Sequence, residues 1–176
     1  MESDFLAVGV VMQRFAIDNR WQSHQWRPLD IITDPATLHG ASPRALDVGV
    51  PDEADRRWLH TGFEVRLFSD EAEGYFLNVS APAPCWFVMS RFEEQDGIER
   101  LMPKLITLSY NEAARLMDGG ERVDTLPLPA AMLDPMHAFI ALHYRPEVKR
   151  KRKKPSFEGG AGVDLMARAE GGGNGG

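Results

Sequence analysis

The chain has 176 residues, 43% of them hydrophobic and 26% charged, with a net charge of −6, the size and composition of one globular domain with tails. Its one cysteine, Cys85, excludes an intramolecular disulfide and a cysteine-ligated metal centre within one chain. Acids and bases are unevenly placed: residues 1 to 144 carry 12 Lys+Arg against 22 Asp+Glu, whereas residues 145 to 176 carry 8 against 4. An acidic body precedes a basic tail, and the boundary falls near Arg145-Pro146.

The opening MESDFLAVGVVMQRF starts acidic, and its apolar run breaks at Gln13 and Arg14, which fits neither a signal peptide nor a membrane span. A cytoplasmic location without a membrane span is the expectation. Phe5, Leu6, Val8, Val10, Val11 and Met12 are apolar on both faces, the pattern of a central strand over residues 5 to 15. Asp18-Asn19 supplies turn chemistry. A second strand is predicted over residues 21 to 32. In it Trp21 and Trp26, five apart, would point to opposite faces, and Pro28, lacking an N–H, predicts an edge or an interruption.

Residues 33 to 57 hold Pro35, Pro43 and Pro51 without sustained periodicity and read as a long irregular loop. Phe63, Val65 and Leu67 then alternate with Glu64 and Arg66, a half-buried strand. SDEAEG, residues 69 to 74, reads as a hairpin connection into a strand Tyr75-Phe76-Leu77-Asn78-Val79, and Pro82 and Pro84 separate that from a strand starting Trp86-Phe87-Val88-Met89. The result is a three-stranded antiparallel meander.

The remainder turns helical. SYNE, residues 109 to 112, matches a capping box, with Ser109 accepting from the Glu112 N–H and Glu112 reaching back to the Ser109 N–H. That helix should run to about Met117 and end at Gly119-Gly120. A second helix is predicted with Asp134 as N-cap and Pro135 first, burying Met136, Phe139 and Ile140 before Pro146. The expected class is α+β: an antiparallel strand-rich meander in the first two thirds, then two helices packed on the sheet. Residues 1–145 form a single domain on this reading. Residues 146–176 are a tail, basic through Lys149, Arg150, Lys151, Arg152, Lys153 and Lys154, then glycine-rich, with nothing to pack and hence disordered.

Catalytic signatures are thin. GxGxxG, GxxxxGK[ST], GxSxG and HExxH do not occur, so nucleotide, phosphate, serine-hydrolase and zinc-protease readings lack a motif. His137 and His143 sit about 240° apart on a helix and cannot share a metal. Cys85, between Pro84 and Trp86, reads as a buried inert thiol rather than a nucleophile. Asp70, Glu71 and Glu73 read as a solvated hairpin tip, or as a seat for a cation or a basic partner. No cofactor and no metal site is expected. The basic run is either a solubilising extension or a clamp for an acidic partner, and nucleic acid is disfavoured because the acidic body shows no basic groove with interleaved aromatics.

The runs NRWQSHQW, RRWLHTGFEVRLFSDEAEGYFLNVSAPAPCWFVMSRFEE, LITLSYNEAARLMDGGERVDTLPLP and HYRPEVKRKRKKPSF, in that order over roughly residues 5 to 157, resemble a bacterial family called domain of unknown function 3305. The resemblance implies an association with molybdenum-dependent formate dehydrogenase, beside whose genes and maturation factors members are often found. Some members carry the label molybdopterin-guanine dinucleotide synthesis protein A, which implies a nucleotidyltransferase with a glycine-rich loop after its first strand. Here that strand leads into MQRFAIDNRW, its one glycine being Gly9 inside the strand, so a binding module fits better than an enzyme. The expected function is a non-catalytic accessory or assembly protein for the dehydrogenase; the alternatives are a cofactor-maturation enzyme or an integral small subunit. Dehydrogenase subunits or another maturation factor would dock on Trp21, Trp26 and Arg27 and on Arg57, Trp58 and His60, with the basic tail steering association. The competing reading makes both Trp21 and Trp26 core.

Overall fold

Residues 5–46 and 55–148 are described by the computed structural model of the chain. The first strand, β1 (Phe5–Ala16), lies between β2 (His24–Ile32) on one side and a later strand on the other. A two-residue β3 (Arg44–Ala45) and a long β4 (Asp55–Arg66) complete an antiparallel sheet in the order β2-β1-β4-β3. A central strand must be apolar on both faces, and Val8, Val10, Val11 and Met12 are all buried. Edge strand β2 carries Pro28 at a break in register: Met12 pairs with Pro28 and Val11 with Asp30, so the residue that cannot donate sits where the ladder is already interrupted. The loop expected to reach residue 57 gives way earlier, because β4 begins at Asp55 and carries Arg57, Trp58 and His60 within it.

A second antiparallel sheet follows. β5 (Cys85–Gln95) pairs with β6 (Ile98–Thr107) and with β7 (Arg122–Pro127), in the order β6-β5-β7. The β5–β6 hairpin turns at Asp96 (φ 52°) and Gly97 (φ 76°), positive at both positions as a two-residue type I′ turn requires. Among the described residues, three helices accompany the sheets: α1 (Ala72–Val79), α2 (Tyr110–Asp118) and α3 (Leu133–His143). The α+β class stands, but its strands divide between two sheets. One core takes Val8, Val10 and Met12 from β1, Val65 from β4, Trp86 and Val88 from β5, Leu101 and Ile106 from β6, Tyr75 from α1, and Met136 and Ile140 from α3.

The expected strand Tyr75–Val79 is helical, following a 3-10 turn at Ser69–Glu71. Its buried residues Ala72, Tyr75 and Asn78 recur every third position, a helical spacing that outweighs the strand propensity of the Tyr-Phe-Leu run. Asn78 fixes the arrangement: its Nδ2 donates to the carbonyls of Cys85 (2.8 Å) and Leu108 (2.9 Å), and its Oδ1 accepts from the Cys85 N–H (3.0 Å). The second predicted helix start also moves. A 3-10 turn at Ala130–Met132 leads directly into α3, so Met132 occupies the N-cap position and Asp134 lies in the first turn rather than capping it.

The start of α2 keeps half of the expected capping box. Ser109 Oγ accepts from the Glu112 N–H at 3.1 Å. The return arm runs through Thr107, whose Oγ1 accepts from the Ser109 N–H (3.1 Å) and donates to Glu112 Oε2. Ser109 Oγ also donates to Glu71 Oε2, and Glu71 pairs with Arg115. Glu71 is thereby part of an interhelix network, while its neighbours Asp70 and Glu73 are exposed. The helix ends as predicted: Gly120 has φ +85°, its N–H reaches the Met117 carbonyl, and the Glu121 N–H reaches Leu116, the paired bonds of a Schellman motif.

Contacts divide the chain after Arg145 into residues 1–145 and 146–176. The predicted tail disorder falls, from residue 149 onward, outside the described residues. Among the described residues, no helix is long and apolar enough to cross a membrane.

Candidate functional site

The β1–β2 hairpin presents an aromatic residue at its tip. The Ile17 N–H bonds the Ser23 carbonyl at 3.0 Å, closing the loop, and Asn19 Oδ1 accepts from the Trp21 N–H at 2.9 Å, the local side-chain turn for which asparagine is suited. Trp21 is therefore outside β2, and its side chain is 88% exposed beside an exposed Arg20. Such exposure is anomalous for so large an apolar group, because burying it would stabilise the fold by kilocalories. The core reading of Trp21 is overturned.

Trp26 belongs to a different environment. Along β1, the residues Val8, Val10, Met12 and Arg14 share one face by the two-residue period. Arg14 pairs with Trp26 of β2, and Met12 with Trp58 of β4, so the two indoles flank β1 on that same face. Their ring centres are 5.2 Å apart at 28°, a stacked pair. The Arg14 guanidinium lies 6.0 Å from the centre of Trp26 and 5.8 Å from that of Trp58, within cation–π range. From the second sheet, Arg100 of β6 stands 5.5 Å over Trp58. Arg122 of β7 donates through Nη2 to the Trp26 carbonyl at 2.7 Å and through Nε to Asp124 at 2.9 Å. Two guanidiniums, from β1 and β6, thus lie over two half-buried indoles, and a third, from β7, bonds the backbone of one of them.

His60 is on the same face, opposite Val10, and only 7% exposed. Burial pushes its pKa down to about 4, with Arg100 and Lys104 contributing in the same direction. A histidine so placed is neutral at physiological pH and is part of the packing rather than of a docking surface.

Arg27 and Arg57 project from the opposite face, where both pair with Gln13 in register. Gln13 Nε2 donates to both oxygens of Asp55 at 3.0 Å, and its Oε1 accepts from Arg27 Nε at 2.8 Å. Arg57 closes on Asp55 at 3.3 Å, and Arg27 lies 4.7 Å over Phe15. Arg57 first, then Gln13, hold the Asp55 carboxyl below its ordinary range. The six body residues singled out by sequence therefore occupy three places: a projecting tip (Trp21), an interior arginine–indole cluster (Trp26, Trp58, with His60 beside it) and a polar belt (Arg27, Arg57). Lys149, Arg150, Lys151, Arg152, Lys153 and Lys154 lie outside the described residues.

Sequence reasoning missed Arg14, Arg100 and Arg122. A signal existed for the first: Arg14 continues the parity of Val8, Val10 and Met12, so a strand with that face inward carries a charge into its interior. Arg100 and Arg122 join it only through the packing of the second sheet against the first. Elsewhere, a surface hollow of about 300 Å³ is lined by Val8, Pro35, Leu38, His39, Phe63 and Glu64; Glu64 is ion-paired with Arg66. Cys85 is half-buried, and desolvation raises its thiol pKa, against a nucleophilic role.

No curated protein and no solved structure matches the chain. A family model described as protein of unknown function (DUF3305) matches residues 7–153, most of the sequence and all of both sheets save the first residues of β1, and to that family the chain belongs.

Proposed function

We propose that the chain is a non-catalytic accessory or assembly protein for a molybdenum-dependent formate dehydrogenase, acting by protein–protein binding. The observation that carries the binding role is the Trp21 side chain, 88% exposed on a hairpin tip whose backbone is pinned by Asn19 and by the Ile17–Ser23 bond. A hairpin tip with a pinned backbone loses little main-chain freedom on association, and tryptophan is among the residue types that dominate interface energetics. The identity of the partner comes from the genes beside which family members are found. The basic run Lys149–Lys154 adds long-range attraction for an acidic surface.

Co-expression of the full chain with the dehydrogenase subunits, followed by affinity purification with quantified subunit ratios and cofactor content, tests this reading. Substoichiometric retention that falls on Trp21→Ala, with unchanged circular dichroism, supports an assembly factor. One-to-one retention in the active enzyme indicates an integral subunit instead. Saturable calorimetric heat with GTP and no retained subunit would replace both with a cofactor-maturation enzyme.

A further inference from the structure

The arginine–indole cluster has a charge imbalance that its surroundings leave open. In the body, acidic residues outnumber basic ones by 22 to 12, and five arginines pair with carboxylates: Arg57 with Asp55, Arg66 with Glu64, Arg91 with Glu121, Arg115 with Glu71, Arg122 with Asp124. Among the described residues, Arg14 and Arg100 pair with no carboxylate. Glu93 is directly opposite Arg100 in the β5–β6 register, yet its carboxylate goes to Lys104. The two guanidiniums nevertheless approach one ring from different sheets, 5.8 and 5.5 Å from the Trp58 centre. Two like charges brought together on one indole repel each other, and cation–π attraction offsets only part of that.

Arg14 adds a second, independent observation. Its Nε is buried with no hydrogen-bond partner among the described residues, where a buried donor on a charged group ordinarily has one. The side chain is held by the β1 backbone between Trp26 and Arg56, so it cannot retreat without leaving the face it occupies.

We infer that the cluster between the two sheets is an oxyanion-binding site, in which the guanidiniums of Arg14 and Arg100, packed on the Trp58 ring, hold a carboxylate or phosphate group. Arginine suits this task because its planar fork matches both groups, and it stacks on aromatic faces while doing so. Binding would neutralise the repulsion between the two cations. Trp26, stacked on Trp58, fixes the ring on which the guanidiniums rest. The site is separate from the Trp21 tip and goes beyond the partner-binding reading.

Titration of the full chain with inorganic phosphate, and separately with succinate, at constant ionic strength maintained with chloride, tests the assignment. Intrinsic tryptophan fluorescence and calorimetry serve as readouts. A saturable response to either anion, weakened at least about tenfold by Arg100→Gln, is expected, since a charge-assisted bond accounts for that much affinity. Response to phosphate alone assigns a phosphate ligand, and response to succinate alone a carboxylate. Arg14→Gln should act likewise; if it fails to fold, Arg100→Gln, on an edge strand, still decides. No response beyond that of matched chloride, or undiminished affinity in Arg100→Gln, overturns the site. A chain that binds neither anion but still retains dehydrogenase subunits loses this site alone.

Discussion

The Ser109 hydroxyl occupies the space that a side chain at Gly74 would need: a Cβ built on Gly74 falls 2.0 Å from Ser109 Oγ and 3.0 Å from Ser109 Cβ. In a helix, Gly→Ala ordinarily stabilises by about 0.4–1 kcal/mol. Here steric overlap decides the sign, and Gly74→Ala should destabilise by about 1–3 kcal/mol. Ser109→Ala removes the N-cap acceptor and the Glu71 partner, at about 1–2 kcal/mol. The clash also predicts that Gly74→Ala costs less in a Ser109→Gly background, as urea denaturation of the four chains would reveal. Additive effects would mean that the helices separate without strain.

Asn78 ties three elements together from a position only 1% exposed. Its amide bonds the backbone of half-buried Cys85 at the start of β5 and of Leu108, the residue after β6, whose bond is fully buried. Asn78→Ala strands two carbonyls and one N–H, and about 3 kcal/mol or more should be lost. Asn78→Asp keeps the shape but turns a carboxylate oxygen toward carbonyls, and should be at least as damaging. A melting temperature within a degree or two of wild type in either variant would be incompatible with this account.

Asn78 also shows why part of the fold was illegible. Tyr75-Phe76-Leu77-Asn78-Val79 reads as strand by residue preference, and what makes it a helix is largely tertiary: the Asn78 amide reaches residues 7 and 30 positions away. The Ala72, Tyr75, Val79 spacing was the local clue. By contrast β1, the alternation of Phe63, Val65 and Leu67, and both ends of α2 were legible, since each is decided by periodicity or by a cap within a few residues. The Asp96-Gly97 turn is equally local, and that dipeptide, a strong hairpin signal, is what marks the start of β6 in the sequence. The cluster at Trp58 is the opposite case. Arg14, Trp26 and Trp58 are brought together by strand register and Arg100 by the packing of the second sheet, across gaps of tens of residues that no short-range pattern encodes.

His60 makes stability depend on pH in a defined window. Its folded pKa is about 4, lowered by burial and then by Arg100 and Lys104, whereas an unfolded histidine protonates near 6.5. Between those values the unfolded chain binds the extra proton, so stability falls as pH falls through the window and is fully present above it. The contribution is on the order of 2 kcal/mol by about pH 4. Arg57 and Arg91 hold the Asp55 and Glu121 carboxyls below their ordinary values, so what they contribute is lost toward the acid end of the range, in the same direction and equally in wild type and in a His60 variant. Denaturation at steps from about pH 7.5 to about pH 4 should therefore show a steeper decline for wild type than for His60→Leu. Parallel curves would place His60 in contact with water.

The Trp26–Trp58 stack is a coupling between β2 and β4 across β1. A double-mutant cycle with Trp26→Leu and Trp58→Leu should give an interaction energy of about 0.5–1.5 kcal/mol beyond lost burial. Arg122, bonded to the Trp26 carbonyl, holds the second sheet to the same edge through the backbone, so it should be insensitive to the Trp26 side chain. A cycle that closes to zero would show that the rings pack independently.

Two adjacent glycines at the end of α2 should respond in opposite ways. Gly119 has φ −77°, a value any residue adopts, and a Cβ there meets the carbonyls of Leu116 and Arg115 at 3.4 and 3.5 Å, ordinary contact. Gly119→Ala should thus be neutral or stabilising by up to about 1 kcal/mol, through the lower entropy of the unfolded chain. Gly120, at φ +85° with open space around it, is limited by backbone conformation alone. Gly120→Ala should cost about 1–2 kcal/mol, and Gly120→Asn less, because asparagine tolerates the left-handed region. The order Gly119→Ala above wild type, then Gly120→Asn, then Gly120→Ala in chemical stability would follow from φ values alone, since neither Cβ meets a clash. Equal effects at the two positions would mean that the Schellman bonds from Gly120 and Glu121 do not hold the helix end.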